Sequence, residues 1–447
     1  MREPPAARTM ELLVRRAPAP APPAPRPARR APETPMPTSA DIAPDRPSVA
    51  ALLEQVRDLT KHNRWQQLAS LRSHLSTPLR AEELEIADGV AFALGQLGDA
   101  DGAANLLAAA CAIDLTHRRA SALAYVHYNA LFACARARPG KGRGAQLAAD
   151  RERHRQAFLR WTRAALDLQP DSIKDLYRLG VFEAQLGNRR DRPALRAFER
   201  AIDAYRRLDD ATRERRGDLR KYYAKALYAA ARSALRLGQV DRARKHAFAC
   251  LRADDGHDHV EPVHKLYLAG KICAAAGEHD HAERALRKAL DAAGKRKPDY
   301  LYGALAAACF ALGRLDDAHA WIDRNVPPPR RRPDMWRLLG DIAHRRGDVD
   351  AALAAYEHAL RGDRAGRHLT LHRIGDIHLA AGRLAKADSA YRRAAEFRRK
   401  RFASEDVRAL EGRLAVADAR GDEAAAAELR AALADARARA RKRRRRR

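Results

Sequence analysis

The chain has 447 residues, 46% of them hydrophobic, only 6% aromatic and 32% charged, with a formal net charge of +29. Its longest apolar run, Tyr300 to Gly313, is shorter than the roughly 18 to 20 residues of a spanning helix. Its five cysteines (Cys111, Cys134, Cys250, Cys273 and Cys309) form no CxxC pair, so no disulfide framework or structural zinc site follows from their spacing, and a reducing, cytoplasmic setting fits best.

Residues 1–47 hold 13 of the 23 prolines, a density that only extended polyproline geometry tolerates, and are expected to be disordered. The basic start is never followed by the apolar stretch and small-residue cleavage site of a secretory signal. Met10 and Met36 are alternative starts, which leaves open whether the whole segment belongs to the protein.

From residue 48 to about 436, apolar residues recur at helical spacing between short Gly-Asp or Gly-Arg turns, with no competing alternation of strand type. Turns fall at Gly98, Gly187, Gly238, Gly277, Gly313, Gly347 and Gly382; the last four intervals are 39, 36, 34 and 35 residues. Within this frame Leu266 to Leu290 carries Gly270, Gly277, Ala282, Leu286 and Ala289. Met335 to Leu360 carries Trp336, Leu339, Gly340, Ala343, Gly347, Ala352, Tyr356 and Ala359, and the next unit repeats it with Leu371, Ile374, Gly375, His378, Gly382, Ala387, Tyr391 and Ala394. Each unit reads as a helix, a turn and a second helix, with small residues where two helices cross. Val90 to Cys111, Leu176 to Ala201, Ala224 to Cys250 and Tyr302 to Ile322 follow the pattern in part, and 48–78, 118–169 and 404–433 by helical periodicity more than by motif.

This pattern resembles the tetratricopeptide repeat, whose 34-residue helix-turn-helix unit reads W-x2-L-G-x2-Y, then G, then A-x3-F-x2-A. The resemblance implies an all-α, right-handed α-solenoid of about ten helix pairs over 48–436, flanked by disordered termini at 1–47 and 437–447. It also implies that function lies on the concave first helices, whose fifth residue faces the groove. That residue is Tyr177, Tyr228 and Tyr267 in three successive units, with Lys174, Lys225, Arg232, Arg236, Lys271, Arg337 and Arg345 as further groove candidates. Aromatic and cationic groups together suit an acidic peptide, and they also suit stacked bases; Tyr as simple filler between helices is the competing reading. The Lys-and-Asn clamp of chaperone-binding members is absent: the ninth positions read Val181, Arg232, Lys271, Ala307, Asp341 and Asp376.

Two loops interrupt the array, Pro139 to Gly144 with Lys141 and Arg143, and Pro327 to Pro333 with Arg330, Arg331 and Arg332. The last 11 residues hold nine positive charges (Arg437, Arg439, Arg441, Lys442, Arg443, Arg444, Arg445, Arg446 and Arg447) and no acid, a tail able to neutralise phosphates or to stay merely solvated. Of the basic residues 72 are Arg and 14 Lys in an Ala-rich chain, as GC-rich coding produces, so bulk charge does not argue for nucleic acid. Asp254, Asp255, His257, Asp258, His259, Glu261 and His264 are metal-competent, but a polar loop explains them as well. No P-loop, GxGxxG, GxSxG or HExxH occurs, so neither catalytic residue nor cofactor nor metal is expected. The expected function is a non-enzymatic scaffold that binds a protein segment in the groove; the alternative is a nucleic-acid-associated protein that uses the basic tail.

Overall fold

The computed structural model describes residues 47–137, 142–186, 190–295 and 297–446, without the side chains of 440 and 442–446. The Pro-rich segment 1–46, the centre of the Pro139–Gly144 loop, the turn at Gly187 and the tip of the basic tail thus lie outside the described residues. Twenty-one α-helices and no strand occur among those described. The first five pairs are α1 (Val49–Lys61) with α2 (Trp65–Ser70), α3 (Leu84–Leu97) with α4 (Ala100–Ile113), α5 (His117–Arg136) with α6 (Gly144–Leu168), α7 (Ile173–Val181) with α8 (Asp191–Arg206), and, after the single turn-and-a-half α9 (Asp210–Arg215), α10 (Asp218–Arg236) with α11 (Val240–Ala253). The second five are α12 (Pro262–Ala275) with α13 (His279–Ala292), α14 (Asp299–Ala311) with α15 (Leu315–Asp323), α16 (Pro333–Arg345) with α17 (Val349–Gly362), α18 (Arg367–Ala380) with α19 (Leu384–Phe402), and α20 (Val407–Arg420) with α21 (Glu423–Arg446). The described residues form an all-α solenoid of ten helix pairs, and the three stretches with weak motifs are pairs like the rest.

The Gly-Asp turns work because one residue ends a helix and the next begins another. Gly347 takes a left-handed backbone (φ 85°), at no steric cost to glycine, while the Asp348 carboxylate accepts the Ala351 N–H at 2.9 Å and caps α17. α7 runs on into a π-helical turn, Phe182–Leu186.

Small residues set how closely the helices approach. A Cβ on Gly340 would overlap the Tyr356 ring, and Ala352 and Ala359 beside it are fully buried. The Tyr356 hydroxyl donates to Asp341 at 2.7 Å, and Arg373 of the following first helix binds the same carboxylate. One repeat later Tyr391 donates to Asp376 at 2.6 Å and Arg408 binds it at 2.9 Å. In these two repeats the Tyr-Asp-Arg ties join the pair internally and to its successor. Asp341→Ala strands a part-buried hydroxyl and a guanidinium, and is expected to lower stability by about 1–3 kcal/mol in urea denaturation. A loss no greater than that of an exposed control such as Asp350→Ala would refute the tie.

At the C-terminus the structure corrects the expected disorder. α21 runs 24 residues, through Arg446, because Arg is a good helix former and Arg437–Glu411 (2.7 Å) and Arg439–Asp435 (2.6 Å) hold the start of the basic stretch.

Candidate functional site

Successive first helices touch directly, as α7 does α10, α10 does α12, α12 does α14 and α14 does α16, while each second helix packs mainly on its own partner and on the next first helix. The side on which consecutive helices approach is the inner side of a curved stack, so the first helices line the concave face.

On that face the structure brings four of the sequence-predicted residues together. Tyr228 and Tyr267 are half-buried on α10 and α12, with the Arg232 guanidinium 5.7 Å from the Tyr228 ring centroid and the Lys271 ammonium 5.8 Å from that of Tyr267. Tyr300 of α14 meets Tyr267 edge to face at 4.7 Å and extends the row by one repeat. Burial pushes the Tyr267 and Tyr300 phenols above their ordinary range, and each feels its tyrosine neighbours. The Tyr300 hydroxyl is enclosed and has no hydrogen-bond partner among the described residues. Burial, then Arg232 and Arg332, lowers Lys271, against the pull of Asp334. Neither Arg232 nor Lys271 has a carboxylate within ion-pair distance among the described residues, whereas Arg332 is held by Asp334 at 2.7 Å. The result is an aromatic row flanked by cations that no acid among the described residues neutralises.

The other candidates are not part of this row. Tyr177 is buried, its ring 6.0 Å from Phe198 and 5.7 Å from Tyr222, and acts as packing between α7, α8 and α10. Lys174 pairs with Asp218 at 2.7 Å, and Arg236 donates to Asp191 at 2.6 Å. Arg337 pairs with Asp363, and Arg345 lies over Phe310 at 4.2 Å. Lys225 is buried, and its pKa is pushed down to about 8 by burial and then by Lys221, with Asp254 opposing. In the Pro-rich loop Arg330 donates to Asp299 and Arg331 to Asp323, so its charges, like that of Arg332, are answered within the chain. The His- and Asp-rich loop is built around Asp254, which accepts the N–H groups of His259 and Val260 at 2.9 Å and binds Lys265 at 3.0 Å.

Sequence reasoning missed Tyr300. A signal for it existed: Lys174 and Lys225 stand three residues before the fifth-position tyrosines, and Tyr300 stands three before Gly303, the fifth position of its own unit.

The tetratricopeptide repeat family model matches residues 369–401, the stretch that spans α18 and most of α19. No curated protein matches. Similar solved structures include a tetratricopeptide repeat protein from Parabacteroides merdae ATCC 43184 (14% identity, 65% of this chain and 96% of that one, TM-score 0.43). Others are the apo form of RapI (12% identity, 80% and 99%, TM-score 0.49) and PilW, a type IV pilus biogenesis factor (15% identity, 56% and 96%, TM-score 0.37).

Proposed function

We propose that this tetratricopeptide-repeat protein is a non-enzymatic scaffold that holds an acidic segment of another protein along the first helices of its middle repeats. The observation that carries the reading is the row Tyr228, Tyr267 and Tyr300 with Arg232 and Lys271 beside it, rings that can bury a ligand's anchors and cations left free to meet its acids. No helix among the described residues is long and apolar enough to cross a membrane, and all five cysteines are free thiols, which suits a reducing compartment such as the cytoplasm.

The test is purification of the tagged chain from its own cells with and without nuclease. Proteins are expected to remain after nuclease, and the pair Tyr228→Ala and Tyr267→Ala should weaken their capture about tenfold or more while circular dichroism stays unchanged. Undiminished capture by that variant sinks the groove assignment. Loss of all bound material on nuclease treatment would instead put nucleic acid in place of a protein partner.

A further inference from the structure

Among the described residues Tyr300 carries the one tyrosine hydroxyl that is enclosed without a hydrogen-bond partner. Later in the array the same group is answered by an acid of the chain: Tyr356 donates to Asp341 at 2.7 Å and Tyr391 to Asp376 at 2.6 Å. The acid whose charge Tyr300 feels, Glu261, is exposed and lies 3.4 Å from the His264 Nε2, and its other near neighbours are the phenols of Tyr267 and Tyr228. Arg232 and Lys271, beside Tyr228 and Tyr267 in the same row, have no carboxylate within ion-pair distance among the described residues. These three unanswered groups are all donors. An enclosed hydroxyl left unpaired costs stability, which a bound acceptor restores.

We infer that Tyr300 is a specificity-determining contact of the groove: its hydroxyl donates to a carboxylate oxygen of the bound acidic segment, the bond that Asp341 and Asp376 give Tyr356 and Tyr391 in the later repeats. This rests on the groove reading above. An ionised carboxylate is a pure acceptor, and a hydrogen bond to it is roughly twice as strong as one between neutral groups. Tyr267, which meets Tyr300 edge to face at 4.7 Å, is the ring that turns aside to admit it. The cations of the row draw the segment's charge without regard to geometry, whereas the phenol asks for an acceptor at one place.

The experiment uses the full chain and, as the probe, a fluorescent peptide of about ten glutamates followed by anisotropy at about 0.15 M salt, beside urea denaturation of the free protein. Tyr300→Phe keeps the ring and deletes the unpaired hydroxyl, so the free chain should hold its urea midpoint or gain slightly, while affinity for the peptide falls about tenfold. Tyr356→Phe deletes an answered hydroxyl outside the row and should do the reverse, lowering the midpoint and leaving the affinity unchanged. These opposed signs separate a ligand contact from a packing role. A midpoint lowered in Tyr300→Phe as much as in Tyr356→Phe means that the hydroxyl is answered within the chain, and an unchanged affinity means that no ligand meets it; either result overturns the inference. Failure of the groove reading is distinct, since it appears as peptide affinity that Tyr228→Ala with Tyr267→Ala leaves unchanged. Failure of the inference alone appears as affinity lost in that pair and kept in Tyr300→Phe, and absence of any binding overturns both.

Discussion

Replacing Tyr391 by alanine is expected to cost about 3–5 kcal/mol, the range for deleting a large buried ring. Tyr391 is fully buried. Its ring fills the space that a Cβ would take at Gly375 of its own first helix α18 and at Gly412 of the following first helix α20. One side chain thus closes both the contact within a pair and the contact between pairs, and its hydroxyl ties Asp376, which Arg408 also binds. Because neighbours in a repeat array stabilise one another pairwise, the damage should be local. Hydrogen exchange should therefore rise in α18 to α21 before it rises in α10 to α14. Tyr391→Phe keeps the ring and loses one hydrogen bond, so it should cost only about 1 kcal/mol. Equal losses for the two variants in urea denaturation, or exchange spread evenly over all pairs, would contradict this role.

The second large effect is acid sensitivity between α5 and α6. His127 and His154 are 9% and 5% exposed, and their Nδ1 atoms lie 3.0 Å apart, so one Nδ1–H donates to the other ring's unprotonated Nδ1 and the two rings are not both cationic. Burial, then His154 and Arg153, pushes His127 down to about 4, with Asp101 opposing. His154 is lowered by burial and Arg153 against Asp101 and Asp150. Between pH 6.5 and about 4 the unfolded chain therefore binds more protons at His127 than the folded one. The stabilisation is complete above pH 6.5 and is lost as the pH falls toward 4, on the order of 3 kcal/mol for His127. The check is the urea midpoint at pH 7.5 and 4.5: the drop on acidification should be clearly smaller in His127→Phe than in the unaltered chain. An identical drop would assign the acid sensitivity to the carboxylates instead.

Much of the architecture was legible because its physics is local. Gly347 and Gly382 mark helix ends that need a left-handed residue, and Gly340 and Gly375 mark crossings that a Cβ would block. The weak stretch 118–169 hid a pair whose helices, at 20 and 25 residues, outgrow the usual unit and lose the period. The His127–His154 contact inside it left no sequence signature, because the two residues belong to different helices. For the groove, Tyr228 and Tyr267 hold the same position in their units and stay half-buried, while Tyr177 in that position goes into the core, since Tyr222 and Phe198 close over it.

By itself the sequence determined the class of structure: helical periodicity made every element a helix, and turns at 34 to 39 residues made the helices a stacked array. The tertiary structure decided which charges are free. Arg236 and Arg232 lie on one helix, yet Arg236 finds Asp191, 45 residues away, and Arg232 finds no acid among the described residues. Arg337 is answered by Asp363 and Lys265 by Asp254, while among the described residues Lys271 and Lys225 have no carboxylate within ion-pair distance. The repeat pattern specifies small and aromatic packing positions and leaves the polar ones unconstrained. Whether a cation meets an acid therefore depends on distances across neighbouring helices, which exist only after the stack has formed.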